Sequence, residues 1–183
     1  MKYFLASLAL TLCIGSACSQ DGSAPKDREG DQPNNSNQAV YKKKLQTIIK
    51  EQGIPKGQLL LKIDKSAYTF SVYHDDSLLI SYPCVFGFNE TDDKRQEGDG
   101  CTPEGNFGIR SQYPHKSWNY FIWVDYPTKE SWSKFRKSKA DGDIPSSATI
   151  GGEIGIHGVP EGYDSIIDNR TNWTLGCISL KNK

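Results

Sequence analysis

Hydrophobic and polar positions alternate in three ways along this chain. Residues 4–17 form an apolar and small-residue run behind Met1 and Lys2. Residues 18–38 then carry almost nothing apolar, so they cannot bury enough surface to offset the entropy of ordering them, and they read as a tether. A helical period follows. Tyr41, Leu45, Ile48 and Ile49 recur at i, i+4, i+7, i+8, with Lys42, Lys43, Lys44 and Lys50 off the stripe, which predicts a helix over 39–52, stopped by Gly53 and Pro55. Its start falls to Asn35, Ser36 or Asn37 as caps.

Beyond Pro55 the period shortens to that of strands. Runs at 59–63, 67–74 and 78–86 predict three strands, with Tyr68, Phe70 and Val72 sharing one face. The polar, glycine-bearing stretch 87–100 predicts a loop. Further strands are predicted at 106–111, 120–124 and 148–157. Between the last two, residues 128–139 predict a helix with Thr128 as N-cap, Glu130 at its positive end, and Trp132 and Phe135 facing a sheet. The fold class is therefore mostly β with two helices, in a chain of one-domain length, 183 residues.

Composition narrows the function by exclusion. Lys+Arg and Asp+Glu are both 22, so no basic surplus points to nucleic acid and no acidic block to a solvating tail. No repeat, heptad, phosphate loop or zinc-type cluster is present, so no cofactor or metal is signalled and the oligomeric state stays open. His74 stands beside Asp75 and Asp76 but lacks a second histidine at ligand spacing, and reads as a turn residue, as does His115 next to Pro114.

The first run is too short for a stable membrane anchor and ends in Ile14-Gly15-Ser16-Ala17-Cys18. Small residues before a cysteine resemble the bacterial lipobox. That resemblance implies a signal peptide over 1–17 and a lipid on Cys18 that holds the chain to a membrane at the periplasmic face of the envelope. By resemblance to enterobacterial sorting, Ser19 rather than Asp after the Cys implies the outer rather than the inner membrane. An ordinary secretory peptide cut at the same small residues is the alternative.

The chemistry concentrates near the C-terminus, where His157 follows Ile154 and Ile156, and Cys177 follows Thr174-Leu175-Gly176. A cysteine and a histidine brought together on strand ends can perform nucleophilic acyl transfer: the thiolate attacks a carbonyl, the imidazole moves the proton, and backbone N–H groups hold the oxyanion. The spacing H-x16-T-L-G-C resembles the signature of the YkuD family of L,D-transpeptidases. The segment Gly98-Asp99-Gly100-Cys101-Thr102-Pro103-Glu104-Gly105-Asn106-Phe107 is similar to a second block of that family. The resemblance covers the chain from about Leu59 onward. A structural histidine and a buried cysteine are the bland reading of the pair.

The resemblance implies a mixed β-sandwich with two flanking helices over 39–183, its site at one mouth. It makes Cys177 the nucleophile, His157 the base and the carbonyl of Gly158 the group that orients the ring. Leu175, Gly176 and Cys177 then surround the oxyanion, and Thr174 supports the turn. The substrate that the resemblance implies is peptidoglycan stem peptide, attacked at its third residue, with no cofactor or metal. If water replaces the acceptor amine, the same site is a hydrolase: an L,D-carboxypeptidase or a murein amidase. A wall-binding lipoprotein without catalysis is the alternative from another class.

Two positions depart from the family. Leu175 stands where many members have a second His, and Ser179 where many have Arg. Arg170 is a candidate to supply that charge or a solvated loop residue, and Ser179 and Trp173 complete the candidates for substrate binding. Tyr120, Trp123 and Trp173 wall a pocket or fill the core. The departures suggest a divergent branch similar to YafK-like members. The chain also stops soon after Cys177, where family members usually continue through a short helix, so it is truncated or closes its fold differently. With Cys177 as nucleophile in an oxidising compartment, Cys84 and Cys101 either bridge, which adds about 3 kcal/mol, or remain two buried thiols.

Overall fold

The computed structural model describes residues 44–55, 57–90 and 92–182. The expected signal peptide, Cys18, the tether and the first residues of the 39–52 helix lie outside the described residues.

The first helix, α1 (Leu45–Gln52), buries Ile48 and ends where Gly53 turns left-handed at φ 64°, its N–H returning to Ile49 and Lys50 carbonyls. Three antiparallel strands follow in sheet order β1-β2-β3: β1 (Leu59–Asp64), β2 (Thr69–His74) and β3 (Ser77–Pro83). Tyr68 does not share a strand face with Phe70 and Val72, because its φ of 57° places it in the turn before β2. Pro83 ends β3 earlier than the 78–86 expectation.

The second sheet has the order β4-β5-β6-β7: β4 (Ile109–His115), β5 (Asn119–Val124), β6 (Gly155–Gly158) and β7 (Ile178–Leu180). β4 pairs antiparallel with β5 and β5 with β6, whereas β6 and β7 run parallel. Between β5 and β6 lies α2 (Lys129–Asp141), where Thr128 caps as expected and makes a reciprocal box with Ser131. Only Phe135 of its expected pair is buried; Trp132 is exposed and meets Phe135 edge-on, 5.8 Å away. A short α3 (Ser165–Asp168) precedes β7.

The two sheets and both longer helices share one core. Phe70, Val72 and Ile80 of the first sheet meet Val124, Ile156 and Ile178 of the second, with Ile48 from α1 and Phe135 from α2. Burying such side chains is worth about 1.5–3 kcal/mol each. The architecture is mostly β, with two sheets and flanking helices.

Cys84, Cys101 and Cys177 are free thiols, so the Cys84–Cys101 bridge is not formed. Cys84 sits in the core, where burial pushes its thiol up to about 12. Cys101 belongs instead to the loop beside Asn89, its Sγ donating to the Asp99 carbonyl at 3.6 Å.

Candidate active site

Strand alternation builds the site. Ile156 and Ile178 are register partners that enter the core, so His157 and Ser179, the next pair, face the other side of the sheet. Cys177 immediately precedes β7, and its thiol lies beside Glu153 and Gly155, the residues that lead into β6 and His157. Gly155 precedes His157 on β6, and a Cβ there would come within 2.1 Å of the Phe121 ring. The missing side chain lets Phe121 pack at 5.9 Å and 10° against His157, its register partner on β5.

His157 is 5 % exposed. Its Nδ1–H donates to the Gly158 carbonyl at 2.7 Å, which leaves Nε2 as the unprotonated nitrogen of the neutral ring. Trp118 stacks on the ring at 4.5 Å and Trp173 meets it edge-on at 5.7 Å. Burial holds the imidazole below its ordinary value, the Gly158 bond opposes this, and His115 adds to the lowering.

Cys177 is half-buried, and its thiol donates to the Glu153 carbonyl at 3.6 Å. Burial raises its pKa, opposed by a bond from the Gly155 backbone. Among the described residues no hydrogen bond joins Cys177 to His157; each is held by a backbone carbonyl. Both groups are therefore neutral at neutral pH. A neutral pair suits a reaction in which proton transfer accompanies attack rather than preceding it.

The turn before Cys177 is braced by Thr174. Its hydroxyl donates to the Cys177 carbonyl at 2.7 Å and accepts the Gly176 N–H at 3.1 Å. Gly176 itself has φ 138°, with the Cys101 carbonyl 2.8 Å from where a Cβ would stand, so only glycine fits. The Gly176 N–H is thus engaged. Leu175 and Cys177 give their N–H groups to no acceptor among the described residues, which leaves these two as donors for an oxyanion. The Leu175 side chain is 75 % exposed.

Three of the substrate-binding candidates fall differently. Trp173 joins the site through its contact with His157, its Nε1 buried and without a partner among the described residues. Ser179 pairs with His157 across β6 and β7, yet it is fully buried, which puts it out of reach of a solute. Among the described residues no contact joins Arg170 to Cys177 or His157. Its guanidinium lies 5.4 Å over the Tyr68 ring, an electron-rich face whose hydroxyl also binds Glu90 and Asn172. Of the other aromatics, Tyr120 is exposed and Trp123 lies under Arg110.

The residues that the sequence did not single out are Trp118, Phe121, Glu153 and Gly155. His115, expected as a loop residue, is the last residue of β4 and stacks on Trp118. A cleft of about 1160 Å³ lies elsewhere, lined by Leu59, Leu61, Ile63 and Phe107 together with the core residues Ile156 of β6 and Ile178 of β7. Among the described residues no group of three or more His, Cys, Asp or Glu could hold a metal ion.

Comparison with known proteins gives the following. The family model described as the L,D-transpeptidase catalytic domain, YkuD, matches residues 58–183. No curated protein matches the chain. Among solved structures, Bd1075 of Bdellovibrio bacteriovorus is 18 % identical with a TM-score of 0.47, over 68 % of this chain and 40 % of its own. An L,D-transpeptidase from Mycobacterium smegmatis is 17 % identical with a TM-score of 0.41, over 68 % of this chain and 50 % of its own. This chain therefore spans half or less of the length of either.

Proposed function

The chain belongs to the YkuD family of L,D-transpeptidase catalytic domains, and from that premise we propose that it is a cysteine acyltransferase acting on peptidoglycan stem peptides. The observation that carries the reading is the tautomer of His157. With Nδ1–H committed to Gly158, the basic Nε2 is left for Cys177, the thiol immediately before the neighbouring strand β7. In this reading the thiol leaves the Glu153 carbonyl and passes its proton to Nε2 as Sγ attacks the carbonyl carbon. The Leu175 and Cys177 N–H groups receive the oxyanion. The tetrahedral intermediate collapses, the C–N bond breaks, and the leaving amine takes the proton from Nε2. An acceptor amine then attacks the thioester, gives its proton to Nε2 and regenerates the thiol. Water in its place makes the same site a hydrolase. Throughout, Gly158 keeps the ring in one tautomer, and a side chain at 158 would strike the Asn182 amide at 1.8 Å.

A β-lactam carbonyl tests this without the natural substrate. Intact mass after incubation with a carbapenem is expected to show one drug-sized adduct, mapped to the Cys177 peptide. An adduct on Cys84 or Cys101, or none on folded protein, counts against the reading. Product analysis with stem peptide and excess amine then separates transfer from hydrolysis.

The N-terminal sequence supports an envelope address. We place residues 1–17 as a signal peptide, 18–38 as a tether, and the domain at the periplasmic face through a lipid on Cys18. Fatty-acid labelling that disappears in Cys18→Ser is the expected result. Labelling that persists in that variant overturns the anchor.

A further inference from the structure

Trp118 sits in the turn between β4 and β5, and its indole lies between two imidazoles. His115 stacks on it at 4.3 Å and 11°, and His157 at 4.5 Å and 27°. The same residue also acts through its backbone. Its carbonyl accepts the Gly158 N–H at 3.1 Å, and the Gly158 carbonyl in turn holds His157 Nδ1 at 2.7 Å. One turn residue therefore fixes both the plane of the ring and the peptide that sets its tautomer. A Cβ at 158 would close to 2.8 Å from that carbonyl, so the contact depends on glycine there.

We propose that Trp118 is a positioning residue for His157, holding the ring by stacking and carrying to it the charge state of His115 on the far face of the indole. The inference rests on the reading of His157 as the base for Cys177. The physical reasons are two. Stacking on one face by Trp118, with Phe121 parallel to the ring and Trp173 edge-on, leaves the imidazole little freedom to swing its Nε2 away from the thiol. A charge on His115 disfavours a second positive charge on His157, the direction in which His115 acts on it.

The groups around the ring make His115 the charge that matters. From β5 the ring meets Phe121 and from the segment after α3 Trp173, while across the sheet His157 has Ser179 of β7 as its register partner. None of these is a second cation. Lys116 is exposed in the same turn, and Lys181 and Asp168 pair with each other.

Cys177 alkylation by iodoacetamide, followed against pH with the His157 ring titrated by NMR, tests this. Trp118→Leu is expected to slow alkylation about tenfold, because a loosened ring loses part of the 10²–10⁴ that a positioned base supplies. Trp118→Phe keeps a flat ring in place and is expected to restore most of the rate. His115→Asn is expected to raise the His157 midpoint, the direction in which losing the His115 interaction acts on it. A folded Trp118→Leu with the wild-type profile overturns the positioning role. If that variant does not fold, Trp118→Phe and His115→Asn still decide: a His157 midpoint unmoved by His115→Asn overturns the relay. Should wild type and His157→Ala share one profile, the base reading itself fails and the inference with it, an outcome distinct from a His157-dependent profile that ignores Trp118.

Discussion

Cys177→Ala is expected to abolish acylation by a carbapenem, and His157→Ala to slow it about 10³-fold at neutral pH, within the 10²–10⁴ range of a positioned acid–base group. The two losses differ in kind. Alanine at 177 removes the atom that forms the bond. Alanine at 157 leaves the thiol in place, but burial holds its pKa up and the imidazole that takes its proton is gone. The residual rate then grows with pH as hydroxide does this work. In wild type the pH response has the opposite origin. His157 is held below its ordinary 6.5 by burial, so it stays neutral and basic down to mildly acid pH, and the rate falls only as pH drops through that lowered value. The check is stopped-flow acylation across pH for the three proteins, with thermal unfolding to confirm that each is folded. A His157→Ala rate within a few-fold of wild type would dismiss His157 as base, since even the low end of that range is about 10².

The parts of this site that were legible in the sequence are the local ones. Thr174-Leu175-Gly176-Cys177 is a turn whose bracing needs only a hydroxyl and a glycine within four residues, and both are written there. Thr128 and Gly53 likewise announced the start of α2 and the end of α1. What escaped was set by long-range pairing. β7 is three residues long, too short for any period, and exists because Ile178 finds Ile156 in parallel register and Ser179 finds Val85. The 148–157 strand shrinks to Gly155–Gly158 because Gly151 and Glu153 turn left-handed at φ 76° and 57°. β4 begins three residues late, at Ile109. Trp118 gave no signal at all. Its place against His157 follows from the hairpin register, in which His115 faces Asn119 and Phe121 faces His157. Of the two readings left open for Cys84 and Cys101, the unbridged one holds for a similar reason, since one thiol serves the core and the other a loop.

That loop carries the second large expected effect: Asp99→Ala destabilises the fold by about 3–5 kcal/mol, the usual result of stripping one partner from a buried ion pair. Asp99 accepts the N–H groups of Arg95, Gln96 and Cys101 and the Lys94 ammonium at 2.8 Å. Lys94 has only 4 % of its side chain exposed, so alanine at 99 leaves a charge in the interior with one carbonyl, Gln96, beside it. The consequence reaches the site, because the carbonyl of Cys101 packs against Gly176. The pH dependence has a definite sign. Burial raises the Asp99 pKa, but the bonds from Gln96, Lys94, Cys101 and Arg95 outweigh it and hold the carboxyl below its ordinary 3.8. The contribution is therefore complete above the unfolded value and is lost as pH falls through the folded one. Asp99→Asn keeps the shape, loses the charge, and is expected to flatten that acid limb while costing less than alanine. Chemical denaturation of the three proteins at neutral and acid pH is the measurement. A loss below about 1 kcal/mol for Asp99→Ala, the size of an exposed pair, would mean that Lys94 escapes to solvent and that the loop is held by its backbone alone.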